Sequence, residues 1–154
     1  MKKFIKILIG VIVAVAVIGG GFYIYASHAA ASHLPGHVYE YNGTASSQKA
    51  YMTFAKSGDQ VIVTSNKEKA IEASKSSSDF QKVYKAENKN GEWSYKADGS
   101  KLTIAKTQDS KVSLWQYNNV LALGSKLHSS SFTYQIANAG QGVVKQATNF
   151  TQIK

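Results

Sequence analysis

Hydrophobic and polar residues follow two different rhythms along this chain. Residues 7–26 form an apolar run without a single charge, preceded by Met1-Lys2-Lys3-Phe4-Ile5-Lys6. At about 1.5 Å of rise per residue, a helix of roughly 20 residues crosses a hydrocarbon core about 30 Å thick. The run has that length and predicts a spanning helix. Lysines precede it and none lies within it, so the positive-inside rule keeps the N-terminus cytoplasmic and sends the rest of the chain across. Phe22, Tyr23 and Tyr25 stand at the outer end, where an aromatic belt holds a spanning helix at the interface. A cleaved secretory signal shares the basic start, but its apolar core is only about 7–15 residues and ends at a small-x-small site. Ala29-Ala30-Ala31 supplies such a site and Gly19-Gly20-Gly21 would loosen the helix end, so secretion is the alternative. Length favours a retained signal anchor: a single-pass protein of the cell membrane with its C-terminal domain extracellular.

Residues 27–36 read as a spacer of small residues and histidines that ends at Leu34-Pro35-Gly36. From His37 the period becomes two. Val38-Tyr39-Glu40-Tyr41 opens it, Ala50-Tyr51-Met52-Thr53-Phe54 continues it, and Gln60-Val61-Ile62-Val63-Thr64 answers across a Lys56-Ser57-Gly58-Asp59 turn. The same rhythm predicts strands over residues 80–87, 92–96, 101–105, 111–117, 120–123 and 131–136. Gly, Asn, Asp and Ser clusters separate them, the signature of hairpins. Asp98-Gly99 and Asn118-Asn119 can take the positive φ angles of tight hairpin loops. One segment departs from alternation: Asn66 caps residues 67–75, whose alanines and long charged side chains favour a short surface helix. Residues 139–154 read as a C-terminal tail, either a short helix or a frayed end.

The parse therefore gives an anchor or signal at 1–26, a spacer at 27–36, an extracellular domain at 37–138 and a tail. The fold class is mainly β: one antiparallel β-barrel or β-sandwich with a short helix. Consecutive short hairpins favour the up-and-down barrel, which removes sheet edges. Gly91-Glu92-Trp93 matches the Gly-x-Trp of lipocalins, and it opens the run Trp93-Ser94-Tyr95-Lys96-Ala97-Asp98-Gly99-Ser100-Lys101-Leu102-Thr103-Ile104. On these residues the domain resembles the small calycin-type, lipocalin-like domains of Gram-positive surface proteins. That resemblance implies a barrel with a ligand-holding mouth.

Composition narrows the function more than it defines it. The chain has no cysteine, so the exported domain holds itself by burial and hydrogen bonding, and no lipid can be attached through a thiol. All 18 basic residues are lysine against 9 acidic ones. Arginine's rigid fork is what reads phosphate and guanine, so a nucleic-acid partner is not expected. The positive charge suits the membrane surface and anionic cell-wall polymers, or it simply keeps the domain soluble. Lysine, serine and asparagine without cysteine suit a Gram-positive exported protein.

No cofactor motif, calcium loop, phosphate-cradling glycine loop or metalloprotease helix is present. His28, His33 and His37 cluster in the spacer without a thiol or carboxylate to complete a metal site. His128 stands among Ser125, Ser129, Ser130 and Ser131 but lacks a nucleophile elbow, and Glu87 with Glu92 flanks a solvated turn. The expectation is a protein that is not an enzyme. Its aromatics carry the remaining signal. Trp93 and Tyr95 share one strand face, as do Trp115 and Tyr117, and these four are the candidate ligand-binding residues. Such rows either fill a core or line a cavity. The two functional classes that follow are a binding module for a small apolar, amphipathic or anionic envelope ligand, and an interaction protein that modulates a membrane or wall partner.

Overall fold

The structure is a computed structural model that describes residues 26, 29–42, 48–137 and 140–154. The expected spanning helix lies outside the described residues. Among the described residues no helix is long and apolar enough to cross a membrane. The elements are α1 (Ala30–His33), β1 (Val38–Asn42), β2 (Lys49–Phe54), β3 (Val61–Thr64), α2 (Lys67–Lys75), α3 (Ser77–Glu87) and a 3-10 turn (Asn88–Asn90). There follow β4 (Glu92–Asp98), β5 (Lys101–Gln108), β6 (Lys111–Asn118), β7 (Leu121–Leu123), β8 (Lys126–Ser129), β9 (Ser131–Ile136), β10 (Gly140–Val144) and β11 (Thr148–Gln152).

The strands make two antiparallel sheets, in the orders β3-β2-β1-β11-β8-β7 and β10-β9-β6-β5-β4. Strand pairs β6–β7, β8–β9 and β10–β11 are each one long strand broken by a bend, with half in either sheet. Asn119 makes the first bend at φ 52°. The corner is stitched by the Ser130 N–H donating to the Asn118 carbonyl at 3.2 Å and by Asn119 Nδ2 donating to Ser130 Oγ at 2.9 Å. Strands that change sheets at a bend are the usual corners of orthogonally packed sheets.

The expected closed barrel is not formed. β1 does pair with β11, joining first strand to last, but β3 and β4 meet only through one bridge, Gln60 to Ser94, and the Tyr95 N–H donating to the Asp59 carbonyl at 2.7 Å. The four residues of β3 are too few to ladder along the seven of β4, and the chain between them is spent on helices.

The inner faces of the sheets enclose the main core. Tyr39, Met52, Phe54, Leu127 and Phe150 of one meet Leu102, Ile104, Tyr117 and Phe132 of the other. The six-stranded sheet is buried on its second face as well, where Val38, Tyr51 and Ile62 pack under Ala70, Ala73, Phe80, Val83 and Tyr84. Helix α2 stands where the sequence predicts it, with the Lys69 N–H donating to Asn66 Oδ1 at 3.0 Å.

Three further expectations are corrected. Residues 80–87 are helix rather than strand: Phe80, Val83 and Tyr84 bury one face at helical spacing, and Ser76 Oγ accepts the Asp79 N–H at 3.0 Å to cap the start. Residues 139–154 are neither short helix nor frayed end, since β11 is central in its sheet and Phe150 is buried in the core. The spacer is partly core. Ala30 and Leu34, four apart on one helical face, have no exposed surface and pack α1 against β4 and β7. The Tyr39 hydroxyl donates to the His33 carbonyl at 2.9 Å and pins the segment.

Candidate binding site: an aromatic shelf on the five-stranded sheet

Strand register decides which of the four candidate aromatics can meet a ligand. Trp93 lies opposite Lys106, and Lys106 opposite Ser113. One step along, Tyr95, Ile104, Trp115 and Tyr134 form the next row across β4, β5, β6 and β9. All four candidates therefore face inward, but they divide into two pairs.

Tyr95 and Tyr117 are structural. Tyr95 sets its ring against Phe54 at 4.7 Å, edge to face, and Tyr117 meets Phe150 at 4.9 Å and Phe132 at 5.7 Å. Burial pushes both phenols above their ordinary pKa and so disfavours their ionisation, with Asp59 adding to the effect at Tyr95 and Tyr41 at Tyr117. Tyr41 lies 5.3 Å from Phe150, and burial pushes its phenol up to about 12.

Trp93 and Trp115 pack against the same core but pair with each other. They are half-buried, and their rings stack at 5.4 Å with a 31° tilt although their strands are separated by β5. Two strand spacings amount to roughly 10 Å, so the indoles lean toward each other above β5. Lys106 brings its Nζ to 5.5 Å from the Trp93 ring centroid, within cation–π range. On the Trp115 side of the pair is an open depression of about 410 Å3 lined by Lys106, Gln108, Asp109, Lys111, Ser113, Trp115, Ile136 and Ala137.

The neighbouring elements hold this shelf rigidly. Tyr84 of α3 donates its hydroxyl to the Trp93 carbonyl at 2.9 Å, fixing the free edge of β4. Gly91 enters β4 at φ +123°, and a Cβ there would stand 2.9 Å from the Thr107 carbonyl oxygen. That close approach explains the glycine of Gly91-Glu92-Trp93 in local terms. Gly142 does the same for Tyr134: a Cβ on it would meet the Tyr134 hydroxyl at 2.9 Å, so the tyrosine ring lies across the glycine. Asp109 and Ser110 turn the β5–β6 hairpin at φ 49° and 62°, the paired positive angles of a two-residue loop.

Tyr134, Lys106, Ser113 and Ile136 were not among the candidate residues. Lys106 had a readable signal, because it continues the inward positions of Leu102 and Ile104 and puts a charge where the alternation calls for an apolar residue. Tyr134 needed the β6–β9 register, which no local pattern supplies.

The other candidate groups go elsewhere. His128 Nδ1 lies 2.8 Å from Asn149 Oδ1 on the exposed side of β8 and β11, and Ser129 Oγ donates to the carbonyls of Asn118 and Ser131. Glu87 is taken by Lys69 at 2.6 Å, whose hydrogen bond holds the carboxyl below its ordinary range. Among the described residues no three His, Asp or Glu side chains gather as a metal site. Compared with protein-family models, curated proteins and solved structures, the chain matches none.

Proposed function

We propose that this chain is a non-catalytic binding module, anchored in the membrane by residues 7–26 and displayed outside, that holds an amphipathic ligand on the Trp93–Trp115 shelf. The observation that carries this reading is the stacked, half-buried indole pair beside an open depression. Both rings pack against the main core and still keep part of their surface exposed. At about 25 cal/mol per Å2, each 40 Å2 of indole that a ligand covers is worth about 1 kcal/mol. The filled interior between the sheets favours a ligand on the surface over one swallowed in a barrel mouth.

Trp93 and Trp115 are the only tryptophans, so intrinsic emission reports on the shelf directly. The full-length chain in lipid nanodiscs should show a saturable emission change with at least one member of a panel of alkyl phosphates, alkyl glycosides and oligosaccharides. Trp115→Ala should abolish it. Linear, unsaturated responses across the whole panel would remove the support for a binding module.

A second reading, an interaction protein docking onto an envelope partner, is favoured by β10. Among the described residues that strand pairs only with β9, and it carries neither charge nor proline and leaves Val143 63 % exposed. An unprotected edge can accept a strand from a partner. Val143→Lys should then lower partner crosslinking on cells while leaving shelf titrations unchanged; equal crosslinking would sink that reading.

A further inference from the structure

We infer that the occupant of the shelf is an acidic glycan, a sugar chain bearing carboxylate or phosphate groups, laid across the strands. This rests on the shelf being a binding site and names what it takes.

An acyl chain needs an enclosed apolar slot. The space between the sheets is occupied by Leu102, Ile104, Tyr117, Phe132 and Phe150, none more than 6 % exposed. The depression beside Trp115 is open and chemically mixed. Gln108, Asp109 and Ser113 offer hydroxyl, amide and carboxylate groups beside the faces of Trp115 and Ile136. A sugar ring has the complementary division, with C–H groups on its faces and hydroxyls around its edge.

The shelf is also long. Trp93, Trp115 and Tyr134 sit on β4, β6 and β9, and from β4 to β9 there are three strand spacings, roughly 14 Å. Tyr134 lies across Gly142, so it adds ring surface to the floor of that path. This shape suits several linked rings better than one compact molecule.

Charge selects among glycans. Lys106 and Lys111 border the depression with Asp109 as the single opposing carboxylate. Lys49, Lys69 and Lys82 are bound to Glu40, Glu87 and Glu72, whereas among the described residues no carboxylate bridges Lys106 or Lys111. Their ammonium groups are placed to pair with an incoming anion while the indoles take the ring faces.

The full-length chain in zwitterionic nanodiscs should be titrated by tryptophan emission with four probes: a hyaluronate oligosaccharide, a phosphorylated mannan oligosaccharide, neutral chito-oligosaccharides and dodecyl phosphate. At least one acidic glycan is expected to saturate the signal and to bind about tenfold more tightly than the neutral one, the difference a charge-assisted contact makes. Whichever acidic probe binds more tightly identifies the anionic group. Lys111→Gln, on an exposed residue, and Lys106→Gln should each bring the affinity for the acidic glycan down to that for the neutral one measured on the same variant, and Trp115→Ala should remove both. Saturation by dodecyl phosphate alone would keep the shelf as a binding site and overturn the glycan. Equal affinity for neutral and acidic glycans would overturn its acidity, and no saturation by any probe would remove the shelf itself.

Discussion

Leu34→Ala tests whether the segment before β1 is a tether or a part of the core. Leu34 has no exposed surface. The substitution removes three buried carbons, which at about 0.8 kcal/mol each amounts to about 2.4 kcal/mol of lost transfer free energy. Collapse around the vacancy is limited by α1's own attachment, the Tyr39 hydroxyl on the His33 carbonyl at 2.9 Å. A cavity term therefore adds to the transfer term, for a total of about 3–4 kcal/mol. Against a domain stability of about 5–15 kcal/mol, that is a large fraction. Urea unfolding of the full-length chain in nanodiscs, followed by tryptophan emission, reads the loss as a lower midpoint at unchanged slope. The control is Ala31→Ser at the exposed neighbouring position, expected to stay within about 0.5 kcal/mol of the parent. A midpoint for Leu34→Ala equal to that of the control would refute the core assignment of α1 and restore the plain spacer.

Gly91→Ala forces a side chain onto a φ of +123° and into the Thr107 carbonyl, and it should cost about 1–3 kcal/mol. Gly99→Ala, at φ +54° with nothing within 4 Å, should cost only the strain of about 1 kcal/mol, and equal losses at the two sites by urea titration would contradict the close approach at Gly91. Alkali should unfold the domain, because burial holds the Tyr39 and Tyr41 phenols at about 12 in the folded state, against 10.0 ordinarily. Their contribution is complete below pH 10. It is lost as pH rises from 10 toward 12, where the unfolded chain releases protons that the folded one retains. Tyrosinate absorbance and circular dichroism should change together over that range. Ionisation of all nine tyrosines near pH 10 with an unchanged spectrum would refute this.

Where one period dominates a segment, the sequence was readable. β5 and β9 alternate between apolar and polar faces, and α2 announces itself by Asn66 and its alanines. Residues 80–87 misled because Phe80 and Tyr84 are also good strand formers, and Val83 with its 3.6 spacing was the competing signal. β11 was illegible because Thr148-Asn149-Phe150-Thr151-Gln152 carries one large apolar residue, and its place beside β1 comes from long-range pairing. β8 lay hidden behind Gly124, whose positive φ of 61° turns a three-residue strand into a hairpin. The candidate site divided for the same reason. Alternation correctly puts Trp93, Tyr95, Trp115 and Tyr117 on inward faces, but only the packing of one sheet over the other determines which of them it covers.

The burial of Ala30 also has a temporal side. Ala29-Ala30-Ala31 is the stretch a signal peptidase would cut, and the folded domain draws its middle residue into the core. Peptidases need an extended, accessible chain, whereas α1 is helical and pinned by Tyr39. Were a peptidase to act there, it would have to do so before α1 docks, and a chain cut at that point would begin near Ser32 and lack Ala30, a residue the folded domain buries completely. Cleavage and folding would then compete for the same three alanines.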